Sequence, residues 1–190
     1  MNIRTMLLIL LALPTPALYG CFPAVVAGGG AAVVMGTDRR TSGTYIEDQN
    51  IELKVSRRIN EKYDDKVHVD VTSFNRFILL VGEAPTQEIK DSMGVIALGV
   101  ESVRNVQNDI TVGSNTSSST RANDAYLTSK VKAKFVSANK FQINHVKVVT
   151  ENSTVFLMGL VKHQEGNDAA EIASGTGGVH RVVKVFEYLD

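Results

Sequence analysis

Cysteine is nearly missing from this 190-residue chain: Cys21 is the only one, so no disulfide can form within it. Long apolar runs are missing as well. The apolar residues 6–13 fall well short of the roughly 20 that a bilayer crossing needs. Neither sign of charge is in excess, with 20 Lys and Arg against 20 Asp and Glu, and no nucleic-acid partner is expected. The four histidines (His68, His145, His163 and His180) share no His-x3-His or His-Glu-x-x-His spacing, so no metal site is expected. No Gly-x-Ser-x-Gly occurs, which removes the nucleophile elbow. Gly28, Gly29 and Gly30 follow no strand and precede no Lys-Ser/Thr, which removes the phosphate loop. Asp64 and Asp65 lie between Lys62 and Lys66, as a solvated turn would. With no acid, base, nucleophile or metal ligands converging, no catalysis, cofactor or small-molecule substrate is expected.

What is present begins at the N-terminus. Arg4 supplies one positive charge, residues 6–13 form an apolar core, and Pro14 and Pro16 end any helix. Residues 1–20 therefore read as a signal peptide to be removed. Leu18, Tyr19, Gly20 and Cys21 resemble the lipobox of bacterial lipoproteins, although Tyr19 stands where a small or β-branched residue is usual. The resemblance implies a lipidated Cys21 as the mature N-terminus; an ordinary signal peptide with a buried Cys21 is the alternative. Phe22, where an aspartate often marks inner-membrane retention, implies export to the outer membrane. Acyl chains contribute roughly 0.8 kcal/mol per buried methylene, and two or more anchor stably.

Residues 22–36 carry no charge and include three consecutive glycines, so a stable helix is not expected there. They read as an apolar tether, continued by the polar, turn-rich residues 38–45. A second polar, low-complexity joint spans residues 113–120. Charge divides between the halves: residues 47–113 hold 8 Lys or Arg against 12 Asp or Glu, and residues 121–190 hold 9 against 7. Such a split tilts toward different surfaces for different partners.

The two segments match each other. Asp48, Ile51, Val55 and Ile59 step by three or four residues, as do Asp124, Leu127, Val131 and Phe135. Each set predicts one apolar helix face behind an Asp N-cap. Alternating strands follow at residues 67–71 and 146–149, then turns at Asn75-Arg76 and residues 151–153. The second strands, 77–82 and 155–159, end in Gly82 and Gly159, where a side chain would crowd the neighbouring helix. Helices over residues 86–98 and 165–173 stop at Gly99 and Gly175 in the C-cap position. Last strands start at Val103 and Val179. The order is α-β-β-α-β, twice.

This pattern resembles the BON domain, carried by Val81-Gly82 and Met158-Gly159, the Gly99 and Gly175 stops, and the Val103 and Val179 starts. Ser102 departs from the pattern where a glycine is common, and Gly166 weakens its helix. The resemblance implies an α+β fold of two small modules, each with helices packed on a mixed three-stranded sheet. The division is then signal peptide 1–20, lipidated Cys21 and tether 21–46, first domain 47–113, linker 114–122 and second domain 123–190. Two such modules behind a lipoprotein signal look like the dual-BON outer-membrane lipoproteins. That likeness implies binding of anionic phospholipid and support of outer-membrane integrity from the periplasmic side.

One stretch fits such a partner. Residues 128–140 hold Lys130, Lys132, Lys134 and Lys140 with no acid among them. At 3.6 residues per turn, Tyr126, Lys130 and Lys134 form a stripe beside the buried line of Leu127, Val131 and Phe135. A ring at the headgroup boundary with ammonium groups beside it suits an anionic lipid surface. The same residues read equally well as a solvated lysine face with Tyr126 half-buried. The resemblance places phospholipid binding on Tyr126, Leu127, Lys130 and Lys134. The first module's helix lacks the aromatic, and Glu47, Asp48, Glu52 and Glu61 offset its Lys54, Arg57, Arg58 and Lys62. A docking face for envelope proteins is the second reading of the basic helix.

Overall fold

The computed structural model describes residues 38–190, so the expected signal peptide, Cys21 and the tether up to residue 37 lie outside the described residues. Helix α1 (Ser42–Tyr63) starts behind Thr41, whose hydroxyl accepts from the Thr44 N–H. Its counterpart α3 (Ser118–Ala138) starts behind Ser117, which accepts from the Thr120 N–H. The helices thus begin earlier than the sequence pattern indicates, inside segments read as tether and linker. Asp48 and Asp124 are not N-caps. They sit inside the helices and are buried.

Each aspartate instead closes a hairpin. Strands β1 (His68–Phe74) and β2 (Phe77–Ala84) pair antiparallel through Asn75 and Arg76, whose φ values are 52° and 63°. Positive φ at both central residues matches the right-handed twist of the strands. Asp48 accepts from the N–H groups of Asn75 and Arg76 at 2.8 and 2.7 Å, from Ser73 Oγ at 2.7 Å and from Arg40 at 2.8 Å. In the second module β5 (Val146–Glu151) and β6 (Thr154–Val161) turn at Asn152 and Ser153 with φ of 46° and 58°. Their N–H groups donate to Asp124 at 2.9 and 2.8 Å.

Helices α2 (Gln87–Leu98) and α4 (His163–Ser174) return the chain to a parallel strand. In the second module this is β7 (Arg181–Tyr188), beside β6. In the first it is split into β3 (Asn105–Asn108) and β4 (Thr111–Val112), both beside β2. The fold is α+β, with a mixed sheet in each module.

Gly82 and Gly159 do not end their strands, since β2 and β6 continue past them. A Cβ on Gly82, which has φ of 121°, would lie 2.1 Å from the His68 carbonyl oxygen, and one on Gly159 would lie 2.1 Å from that of His145. The crowding is with backbone, of β1 at Gly82 and of the turn residue just ahead of β5 at Gly159, not with a packed helix's side chains. Gly99 and Gly175 close α2 and α4 at φ of −78° and −75°, ordinary right-handed values, so neither is a left-handed cap. Gly166, buried in α4, has the Phe186 and Tyr188 rings 3.1–3.2 Å from where its Cβ would be, so its small size admits them.

One face of each sheet meets its own helices. Ile51, Val55 and Ile59 pack with Ile78, Leu80, Met93 and Ala97. Val131 and Phe135 pack with Val155, Leu157, Ala169 and Ala173. The opposite faces meet each other: Phe74, Leu79 and Val81 of the first sheet join Phe156, Met158 and Val185 of the second. The layers run helices, sheet, sheet, helices. Strands β2 and β6 are buried on both sides, which explains their unbroken apolar runs. Polar ties rim the junction: Lys147 to Glu52 at 2.7 Å, and Asn75 and Arg104 to Glu187 at 2.9 and 3.0 Å. Arg39 pairs with Glu165 through both guanidinium nitrogens at 2.7 and 2.9 Å, while Arg40 pairs with Asp38 and Asp48 of the first half.

Candidate functional site: an exposed face of the second module

Helix α3 owes its orientation to four buried side chains, Asp124, Leu127, Val131 and Phe135. At about 100° per residue, the opposite side carries Ala122, Tyr126, Ser129, Ala133 and Val136, all exposed. Tyr126 and Val136 are each 63% exposed. This strip holds no charge. Lys130 and Lys134 border it on one flank and Lys132 on the other.

The bordering lysines are positioned by the turn that follows α4. Lys130 Nζ donates to the Gly177 carbonyl at 2.8 Å and lies 5.8 Å from the Tyr126 ring centroid. Lys134 Nζ donates to the Gly175 carbonyl at 2.7 Å, placing a cation at the negative end of α4. The first module repeats this device, with Arg58 Nη1 donating to the Gly99 carbonyl at 3.0 Å. An ammonium has three donors, so one carbonyl bond leaves capacity for an anionic oxygen. Lys140 is committed elsewhere, 2.8 Å from Asp168 and 3.8 Å from Glu171. Asp168 and Gln164 hydrogen bonds accompany this arrangement, and Lys140 holds the Asp168 carboxyl below its usual range.

The structure therefore brings Tyr126, Lys130 and Lys134 together on one surface. Leu127 is 2% exposed and does not reach it. Its side chain instead underlies the turn: Leu127 Cδ2 would stand 2.8 Å from a Cβ on Gly178, which has φ of 101°. Leu127 thus acts beneath the surface rather than at it. Sequence reasoning missed the turn at residues 175–178, because its contribution is made by backbone carbonyls. It also missed the uncharged strip, whose alanines and serine carry little signal singly.

The corresponding face of α1 differs. Asn50 stands where α3 has Tyr126, Arg57 is paired with Glu61 at 2.7 Å, and Lys62 donates to Ser92 at 2.8 Å. Ile46 and Leu53 are exposed there, as are Val95 and Leu98 on α2. Among the described residues no group of three or more His, Cys, Asp or Glu is placed to hold a metal ion, and no helix is long and apolar enough to cross a membrane.

Comparison with known proteins agrees with the repeat. The BON domain family matches residues 47–114 and 123–190. The chain is 40% identical over 175 residues to the outer membrane lipoprotein DolP of Haemophilus influenzae, covering 91% of both chains. It is 30% identical to a 21 kDa hemolysin of Actinobacillus pleuropneumoniae, covering 80% of this chain and 79% of that one. It is also 30% identical to the osmotically-inducible protein Y of Escherichia coli, over 74% and 72% of the two chains. Two matched domains and kinship over 91% of the chain together settle the family: this chain belongs to the BON-domain proteins, among the dual-BON lipoproteins of the outer membrane.

Proposed function

We propose that this protein is a non-enzymatic lipoprotein, anchored through acylated Cys21 and facing the periplasm. It rests the α3 face of its second module on anionic phospholipid and thereby supports outer-membrane integrity. The observation that carries this reading is the uncharged, exposed strip of α3, with Tyr126 on its Lys130 side and lysines on both flanks. A strip of this kind lies in the interface plane, ring and small apolar groups inward, with each nearby ammonium contributing about 1 kcal/mol against an anionic surface. Co-sedimentation of residues 38–190 with vesicles tests it. Binding to anionic vesicles is expected to exceed binding to neutral ones and to fall sharply in Tyr126→Ala with Lys130→Glu. Equal binding to both vesicle types, or no loss in the double variant, counts against it.

A second reading, a docking module for envelope proteins, draws on the exposed Ile46, Leu53, Val95 and Leu98 of the first module. Photo-crosslinking in cells separates the two. Lipid adducts at Tyr126 with no protein adduct at Leu53 or Leu98 favour the membrane, and a dominant protein adduct at Leu53 or Leu98 favours docking.

A further inference from the structure

One rim of the sheet-to-sheet junction gathers carboxyl groups from both modules. Glu83 of β2 shares its sheet face with Leu79 and Val81, which pack in the cluster between the sheets. Glu151 of β5 pairs with Thr154, on the face that carries Phe156 and Met158 into the same cluster. Both are nearly sealed from solvent, at 4% and 9% exposed. Glu83 Oε2 accepts from the Thr116 N–H at 3.0 Å and from Thr116 Oγ1 at 3.3 Å, holding the chain just ahead of α3. Glu151 Oε1 is buried with no hydrogen-bond partner, directly ahead of the hairpin turn that Asp124 of α3 secures.

The groups around the pair do not neutralise it. A cavity of about 390 Å3 at this rim is lined by His68, Asp70, Arg121, Asp124, Lys147 and Glu151, among others. The Lys147 ammonium is bound to Glu52 at 2.7 Å. Arg121 is exposed and donates to the Thr116 carbonyl and to Ser118 Oγ. Asp70 and Asp124 add negative charge, and His68 Nε2 is buried without a partner.

We propose that Glu83 and Glu151 share one proton across the junction, forming a latch that seats the two sheets and the start of α3 while the proton is present. With the proton on Glu151, its O–H donates to the Glu83 carboxylate. When the proton leaves to solvent, two carboxylates face each other at a largely buried rim where each raises the cost of charging the other. Burial, together with the charges of Glu83, Asp124 and Asp70, pushes the Glu151 carboxyl up to about 7 from its ordinary 4.5. The native state therefore holds a proton that the unfolded chain has released. The latch's stabilisation is whole below about pH 4.5 and is lost as pH rises through about 7.

The test uses the full chain in detergent micelles and needs no lipid ligand, so its outcome is independent of the membrane reading. Carbon-detected NMR of the glutamate carboxyls is expected to give Glu151 a midpoint near pH 7, and amide exchange in residues 116–124 is expected to quicken above it. The melting temperature is expected to fall between about pH 4.5 and pH 7 in the natural chain and to fall less over that range in Glu151→Gln. A Glu151 midpoint near its ordinary value, or an unchanged pH slope in Glu151→Gln, overturns the latch. Should Glu151→Gln not fold, Glu83→Gln serves: it is expected to lower the Glu151 midpoint, and an unmoved midpoint overturns the latch equally.

Discussion

Asp48 is fully buried and bonded to two backbone N–H groups, a serine hydroxyl and Arg40. Arg40 in turn lies 3.9 Å above the Phe74 ring and is gripped by Asp38. Burial alone would raise the Asp38 carboxyl, but the hydrogen bonds and charge of Arg40 hold it below its ordinary value. Removing one member of such a set leaves the others desolvated. Asp48→Ala is expected to cost about 3–5 kcal/mol in urea unfolding, against about 1–3 kcal/mol for Asp124→Ala, which strands only N–H groups. The glycines separate in the same way. Gly82→Ala and Gly159→Ala drive a methyl into a backbone carbonyl and should each cost about 3 kcal/mol or more. Gly99→Ala, at an ordinary φ with its nearest contact at 3.4 Å, should change stability by less than about 1 kcal/mol. Equal losses at Gly82 and Gly99 would refute this division.

The lysines of α3 serve two ends at the level of the element. Lys134 stabilises α4 by meeting its last carbonyls, whereas Lys132 is exposed. Lys134→Gln should therefore lose about 0.5–1 kcal/mol of stability as well as vesicle affinity. Lys132→Gln should lose affinity alone, by about 1 kcal/mol. Thermal melts paired with vesicle titrations check the contrast, and a stability loss from Lys132→Gln would contradict it. What was legible in the sequence, and what was not, follows from the range of each interaction. The i, i+4 spacing of Ile51, Val55 and Ile59 is local, and all three are buried as that spacing indicates. The role of Asp48 was not legible. Its partners lie on a hairpin turn 27 and 28 residues away, and an acid at the head of an apolar period looks like a cap. The stripe of Tyr126, Lys130 and Lys134 and the burial of Leu127 were legible from helix geometry, while the Gly178 turn that Leu127 underlies comes from the far end of the module.

At the scale of the whole molecule, the unbroken apolar runs of β2 and β6 need a cover on the face turned away from their own helices. That cover is each other's sheet, through Leu79, Val81, Phe156 and Met158. This arrangement sends the two helical layers to opposite outer faces, so one flat membrane cannot lie against both α1 and α3. If α3 is the lipid face, α1 looks into the periplasm, and its exposed Ile46 and Leu53 stay out of the bilayer. Nitroxide-bearing lipids in anionic micelles give the check on the full chain. Amide signals around Tyr126, Ala133 and Val136 should broaden strongly, and those around Ile46 and Leu53 should not. Comparable broadening on both helices would mean either that the sheets come apart at the membrane or that α3 is not the face that meets it. Repeating the measurement with Phe156→Ala distinguishes these, because a weakened sheet junction should raise the broadening at Leu53 only if separation is the cause.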